Sequence, residues 1–492
     1  MNFISTRGGN SVDSAARAIA QGLADDGGLF VPERFPDLSK NLKDMLDMDY
    51  PERAAFVLSS FLEEYDKQGL LEACKKAYGK FEEGDAAPLI KIDDKFYILE
   101  LFHGPTLAFK DIALTILPYL LREGANKAGI KEEILILVAT SGDTGKAALE
   151  GFKDQDGIKI TVFYPDEGVS DMQKLQMSTQ EGENVNVIAV KGNFDDCQTA
   201  VKNIFTNKEY IETLKKQNVV LSSANSINFG RLSPQIAYYF SAYCDLVNGE
   251  EIEFGDVVDF VVPTGNFGNI LAGYYAKQMG LPVGKLVCAS NDNKILTDFF
   301  TTGSYDVNRE FFKTISPSMD ILISSNLERL IFEFSGRDAE LTKKRMEELK
   351  KDGIYNISEE EKEAIEKEFY ADFTSEDASR NTIKNFFEDY DYALDTHTAV
   401  AVEVSYGYQS TVDTDNALVI VSTASPYKFA ADVLKSLTGK EENDPFKASE
   451  KLEKETAMPI PEKIKELKNK PVRFTKVLKS DELFEEVLNF VK

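Results

Sequence analysis

The order of apolar and polar positions divides the chain into contrasting stretches. Up to about residue 86 the spacing is helical. Residues 11–23 set alanines, Ile19 and Leu23 on one face behind Ser11 or Asp13 as the cap, and a second helix is predicted from Pro51 to about Lys80, with proline in its first turn. From residue 87 short apolar runs alternate with helix-length segments: ILILV at 134–138, IKITVFY at 158–164, VVDFVV at 257–262, KLVCA at 285–289 and ALVIV at 417–421. Such runs, bounded by polar turns, predict parallel strands with helical crossovers, an α/β fold. Residues 336 to about 392 break the rhythm. They are rich in Glu, Lys and Asp, and predict exposed amphipathic helices forming an insertion whose charge is a solvated face. The end of the chain reads as helical, with a proline break at 457–463. The expected division is a mainly helical region 1–86, an α/β core 87–430 and a helical segment 431–492.

Loops after the predicted strands carry the candidate chemistry. In open α/β sheets ligands bind beyond the carboxyl ends of the strands, so these loops are expected to converge on one crevice. The first, VATSGDTGKAAL (138–149), places Ser141, Gly142, Asp143 and Thr144 where a helix starts, and free N–H groups there suit a carboxylate or phosphate. It is not a P-loop, which would need glycine at Thr140 and Ser or Thr at Ala147. The second, PTGNFGN (263–269), offers Gly265, Asn266, Phe267, Gly268 and Asn269 as a phosphate cradle and lacks the GxGxxG spacing of a dinucleotide site. The third, STASPYKF (422–429), puts the Thr423 hydroxyl at a strand end. Taken singly, each loop is also compatible with a plain turn or helix cap. The segment HGPTLAFKD (103–111) adds Lys110 at the head of an apolar helix, either a snorkelling surface lysine or a desolvated amine able to form a Schiff base. His103 beside it reads as a core, supporting or catalytic residue.

Composition narrows the partners. The chain has 492 residues, 43% hydrophobic and 28% charged, which is ordinary globular usage. With 83 acidic against 56 basic residues the net charge is −27, so nucleic acid and anionic membrane are poor partners. Any anionic substrate then needs a local site built from backbone, Lys or Arg. Four scattered cysteines and two histidines do not make a zinc site and predict reduced, buried thiols. No apolar run is long enough for a membrane span and no signal peptide is evident, so a cytoplasmic protein is expected.

HGPTLAFKD, ATSGDTG and PTGNFGNILAGYYAKQMGLP, in that order, resemble the threonine synthase family, pyridoxal-phosphate enzymes of the tryptophan-synthase-β fold type. The likeness extends over almost the whole chain, through STRG (5–8), DGGLFVPE (26–33), SPSMDILISSNLERLIFE (316–333), HTAV (397–400) and the STA…P.KF segment. It implies PLP fold type II, with two open, mostly parallel sheets flanked by helices, an N-terminal helical domain and a helical insertion. It also implies conversion of O-phospho-L-homoserine and water to L-threonine and phosphate, by a monomer or homodimer. Lys110 would carry pyridoxal 5'-phosphate and move protons, the 265–269 loop would hold the cofactor phosphate, and Thr423 would meet the pyridine nitrogen. Ser141 to Thr144 would receive the substrate carboxylate, with Asn228, Arg231 and Lys174 offered to its phosphate. For Arg231 the plainer alternative is an ion pair with the acidic surface. The chain departs from the family pattern at Ser425, Tyr427 and Lys146, and Lys146 adds a charge near the carboxylate loop. Rival readings are a dehydratase or phospho-lyase ending in 2-oxobutyrate, and a non-catalytic metabolite-binding paralogue.

Overall fold

The computed structural model describes residues 1–81, 85–140, 142–166 and 169–492. The amino-terminal region is mainly helical, as its periodicity predicts, with Phe3–Ser5 paired antiparallel to Phe30–Pro32, but its caps differ from expectation. The first helix runs Ala15–Gln21 and is capped by Ser14, whose extended backbone lets its hydroxyl accept from the Arg17 N–H. The predicted long helix is two, Tyr50–Phe61 and Lys67–Tyr78. Asp49 and Glu52 form a capping box at the start of the first. Asp66 accepts from the Gly69 N–H at 2.7 Å and starts the second, so a carboxylate satisfying a new helix start replaces continuation of the old one.

Two open sheets form the rest of the frame. In the larger, the strand order is Phe369–Phe373, Val283–Ser290, Val258–Pro263, Ala417–Ser422, Phe96–Glu100 and Leu89–Asp93, all parallel except the last. The smaller is wholly parallel, in the order Val477–Leu478, Val185–Val190, Ile158–Pro165, Glu133–Ala139 and Val219–Ser222. Period-two alternation sends each strand's side chains to two cores. Ile134, Ile136 and Val138 join Tyr97, Leu99, Val419 and the amino-terminal helices in one continuous core. Leu135 and Leu137 face the carboxyl-terminal helix Leu483–Val491, and Ile98, Val261 and Ile420 face the far side of the larger sheet. No helix among the described residues is long and apolar enough to cross a membrane. The four cysteines are buried free thiols.

Two segments read as purely helical contain strands. Within 336–392, helices Ala339–Asp352, Glu359–Glu368 and Glu376–Tyr390 form as predicted, but Ile354–Asn356 pairs with Ser304–Asp306 and Phe369–Phe373 is an edge strand of the larger sheet. The pattern hid this edge because only one of its sides is paired and its residues are half-buried. Near the chain's end, Val477–Leu478 adds a two-residue edge to the smaller sheet, too short to carry a periodic signal.

The two halves meet closely below the site. The helix Asp143–Phe152, which follows strand Glu133–Ala139, packs on the helix Lys110–Leu114 through Gly151. A Cβ at Gly151 would lie 2.0 Å from the Leu114 carbonyl oxygen, so only glycine permits this approach.

Candidate active site

The loops after strands Phe96–Glu100, Glu133–Ala139, Val258–Pro263 and Ala417–Ser422 converge, and Lys110 stands among them. Its helix starts at Lys110 itself, and the backbone before it is tied to the next loop, the Phe109 N–H donating to the Thr423 carbonyl at 2.9 Å. The Lys110 side chain is 11% exposed. Its Nζ lies 3.7 Å from Asp143 Oδ2 and donates over 3.5 Å to Ser318 Oγ. Burial lowers the amine to about 8, Asp143 opposing this and the charges of Arg231 and Lys428 adding to it. An amine in that range keeps a useful uncharged fraction near neutral pH.

Asp143 is the electrostatic hub. It is buried, at the first turn of its helix, and receives Gln173 Nε2 at 3.0 Å, Ser318 Oγ at 3.1 Å and Lys428 Nζ at 2.8 Å. Burial alone would raise this carboxyl, but Lys428 and Lys110 hold it well below the usual carboxylate range. Ser318 is held from behind: its N–H donates to His397 Nε2 at 3.1 Å, and His397 Nδ1 lies 3.0 Å from Asp395 Oδ1. That arrangement puts the imidazole proton on Nδ1. None of Ser318, Lys428, His397, Asp395 or Gln173 is singled out by sequence reasoning. The segments SPSMD, HTAV and P.KF are visible there as likeness only, and the signal available was a buried Lys and His in otherwise apolar or hydroxyl-rich surroundings.

The 265–269 loop fits a phosphate. The N–H groups of Gly265, Asn266, Phe267 and Gly268 find no acceptor among the described residues, ahead of the helix Gly268–Gln278. Phe267 holds a left-handed φ of 63°, a conformation that costs a non-glycine residue roughly 1–3 kcal/mol and persists only when the surroundings enforce it. Here Ser324 Oγ donates to the Gly265 carbonyl at 2.8 Å and Asn326 Nδ2 to the Asn266 carbonyl at 3.0 Å. A Cβ on Gly265 would meet the Ser318 carbonyl at 2.8 Å, so this loop and the Ser318 turn share one tight seam. Asn269 accepts from the Tyr238 and Tyr239 hydroxyls on Oδ1, at 2.5 and 2.8 Å, and its buried Nδ2 has no partner among the described residues. A buried orphan donor beside several free amides is the chemistry of an anion cradle.

The other predicted residues divide. The Thr423 hydroxyl finds no partner among the described residues, and its residue lies against the Lys110 loop. Arg231 is 6% exposed and, among the described residues, donates only to the Ala224 carbonyl, at 2.9 Å. It makes no ion pair among the described residues, so the plainer alternative is set aside, and it lies close enough to bear on Lys110. Gly142, at a φ of 147°, needs to be glycine, since a Cβ would strike the Gln173 amide at 2.4 Å. Thr144 is half-buried with no side-chain partner among the described residues, and Ser141 lies outside them.

Two expectations are corrected, those for Asn228 and for the charge of Lys146. Asn228 caps the helix Phe229–Leu232: its Nδ2 donates to the carbonyls of Ile19 and Ser223, and its Oδ1 accepts from Gly230, so no polar atom is left for a substrate phosphate. Lys174 donates to the Asp166 carbonyl at 2.6 Å, one position along its helix from Gln173. The side chain of Asp143 is itself a paired carboxylate and would repel a substrate carboxylate, which leaves only its N–H to serve. Lys146 adds no free charge, being paired with Glu150 at 3.1 Å and bonded to Gln180. Ser425 caps the turn Pro426–Phe429, and the Tyr427 hydroxyl donates to the Met458 carbonyl, so both departures are absorbed by the fold. His103 pairs with Glu100 at 2.7 Å, outside the Lys110 cluster. No cluster of metal ligands exists among the described residues.

A buried lysine with a lowered amine, facing an unsatisfied phosphate cradle at the carboxyl ends of open parallel sheets, defines an enzyme that works through an aldehyde cofactor held on a lysine. Residues 2–78 match the family Threonine synthase N terminus, 86–423 Pyridoxal-phosphate dependent enzyme, and 398–491 Threonine synthase, C-terminal. The chain belongs to the threonine synthase family of pyridoxal-phosphate dependent enzymes. It is 42% identical over 441 residues to human threonine synthase-like 1, covering 87% of this chain but only 58% of that protein. Threonine synthase of Schizosaccharomyces pombe is 38% identical over 87% of this chain and 88% of its own. The crystal structure of PLP-bound threonine synthase from Brucella melitensis superposes with a TM-score of 0.89 at 37% identity, covering 100% of both chains.

Proposed function

We propose that the protein converts O-phospho-L-homoserine and water to L-threonine and phosphate. The observation that carries this reading is Arg231: a buried guanidinium with one carbonyl partner, in a chain of net charge −27, is a site prepared for an anion beside Lys110. Threonine synthases of known structure and sequence resemble the chain along its length, which supports the same substrate. When bound, pyridoxal phosphate supplies the electron sink that acidifies C–H bonds of an amino-acid substrate. In this reading Lys110 carries the cofactor, and the free amides of Gly265 to Gly268 with Asn269 Nδ2 hold its phosphate. The neutral Thr423 hydroxyl meets the ring nitrogen.

The substrate carboxylate meets the N–H groups of Asp143 and Thr144, that of Gly142 being taken by the Thr140 hydroxyl at 3.0 Å, and its phosphate meets Arg231. Lys110 Nζ then takes and returns protons at neighbouring substrate carbons, which suits an amine on a flexible stem whose contacts to Ser318 and Asp143 are long. Arg231 stabilises the phosphate as it leaves. Water adding at Cβ separates threonine formation from the phospho-lyase alternative. Product analysis with O-phospho-L-homoserine tests the assignment: threonine and phosphate in equal amounts are expected. Phosphate with 2-oxobutyrate and ammonia would move the protein to the lyase reading, and cofactor-loaded protein giving neither would favour the metabolite-binding paralogue.

A further inference from the structure

Two lysines face Asp143, and they hold it unequally. Lys428 Nζ sits 2.8 Å from Oδ1 and also donates to the Thr106 carbonyl at 2.9 Å, while Lys110 Nζ stands 3.7 Å from Oδ2. The Lys428 side chain is 1% exposed, so this ion pair is desolvated and firmly seated. Arg231 adds a further positive charge near Lys110, and of the two cations on Asp143 the one with the weaker hold gives up its proton more easily. That cation is Lys110. We propose that Lys428 is a positioning residue: by claiming Asp143 and placing a fixed positive charge beside Lys110, it enlarges the fraction of Lys110 amine that is uncharged and able to attack an aldehyde carbon. In that attack the amine's lone pair forms a C=N bond and one water leaves, so a protonated amine cannot begin it. The inference rests on the reading of Lys110 as the cofactor lysine. The charged groups that bear on Lys110 are Asp143 from helix Asp143–Phe152, Lys428 from the turn Pro426–Phe429 and Arg231 from helix Phe229–Leu232. His397, behind Ser318, accepts a hydrogen bond on Nε2.

The test mixes cofactor-free protein with pyridoxal phosphate and follows the absorbance band of the lysine-bound cofactor across pH. In the unaltered chain the rate rises with pH through a midpoint of about 8, where Lys110 loses its proton. Lys428→Met removes the repelling charge and gives Lys110 sole use of Asp143, so the midpoint is expected to rise by about one unit or more. In the Lys428→Met/Asp143→Asn double variant it returns to the starting value or below. A Lys428→Met protein with an unmoved midpoint, or a double variant that rises like the single, overturns the inference. Should Lys428→Met not fold, Asp143→Asn is compared with the double variant. A lower midpoint in Asp143→Asn is expected, because Lys428 then acts unopposed, and equality overturns the inference. Unaltered protein that forms no band overturns the cofactor reading and this inference with it, whereas a band with an unmoved midpoint overturns the inference alone.

Discussion

Replacing Lys110 with alanine lowers turnover about 10^4-fold or more and abolishes the lysine-bound cofactor band, while the melting temperature stays near that of the unaltered chain. The large kinetic effect follows because one amine performs both duties, holding the cofactor and moving protons. No neighbour can take them over. Lys428 is the nearest candidate, but its amine is committed to Asp143 and the Thr106 carbonyl at 2.8 and 2.9 Å. The small stability effect follows from the loose hold on Lys110, whose polar contacts are 3.5 and 3.7 Å long. Removing a desolvated, weakly bonded amine forfeits little, and Asp143 keeps Lys428, Gln173 and Ser318. Steady-state kinetics, an absorbance scan and a thermal melt on one preparation check all three parts. Loss of fold in place of loss of chemistry would show that Lys110 is structural.

Gly151→Ala is the second large expected effect, and it acts at a distance from the chemistry. The added methyl would lie 2.0 Å from the Leu114 carbonyl oxygen and 2.9 Å from its carbon, both backbone atoms with no side-chain freedom to yield. The helices Asp143–Phe152 and Lys110–Leu114 must therefore separate, at a cost of about 1–3 kcal/mol. Asp143 and Lys110 stand at the starts of those two helices, so the same separation lengthens their contact. Urea unfolding should show a lower midpoint with an unchanged slope, and kcat should fall in parallel. An unchanged midpoint would mean that the helices are not in register as described.

The strands and loops that frame the site were legible because each apolar run is followed at once by a glycine- or hydroxyl-rich turn. Lys110 was legible from its place at the head of an apolar helix, and more firmly from likeness. Arg231 carried no local signal of burial, since helix Phe229–Leu232 is one turn long, yet burial is what makes it informative. Asn228 misled because an asparagine that caps a helix and one that binds a ligand look identical in sequence. Ser318, His397 and Lys428 come from three separate segments, and the bonds of Ser318 to His397 and Asp143 and of Lys428 to Asp143 exist only once the sheets are assembled. The edge strand Phe369–Phe373 was lost for a related reason, because its pairing partner, Val283–Ser290, lies elsewhere in the chain and the charged helices around it dominate the pattern.

The central claim is that Lys110, among all the lysines, carries the cofactor. The most direct measurement is borohydride reduction of the pyridoxal-phosphate-loaded protein followed by proteolysis and mass spectrometry. The account predicts that the reduced cofactor's mass is added to the peptide containing Lys110 and to no other. Attachment at Lys428, or at a surface lysine with Lys110 unmodified, would contradict it.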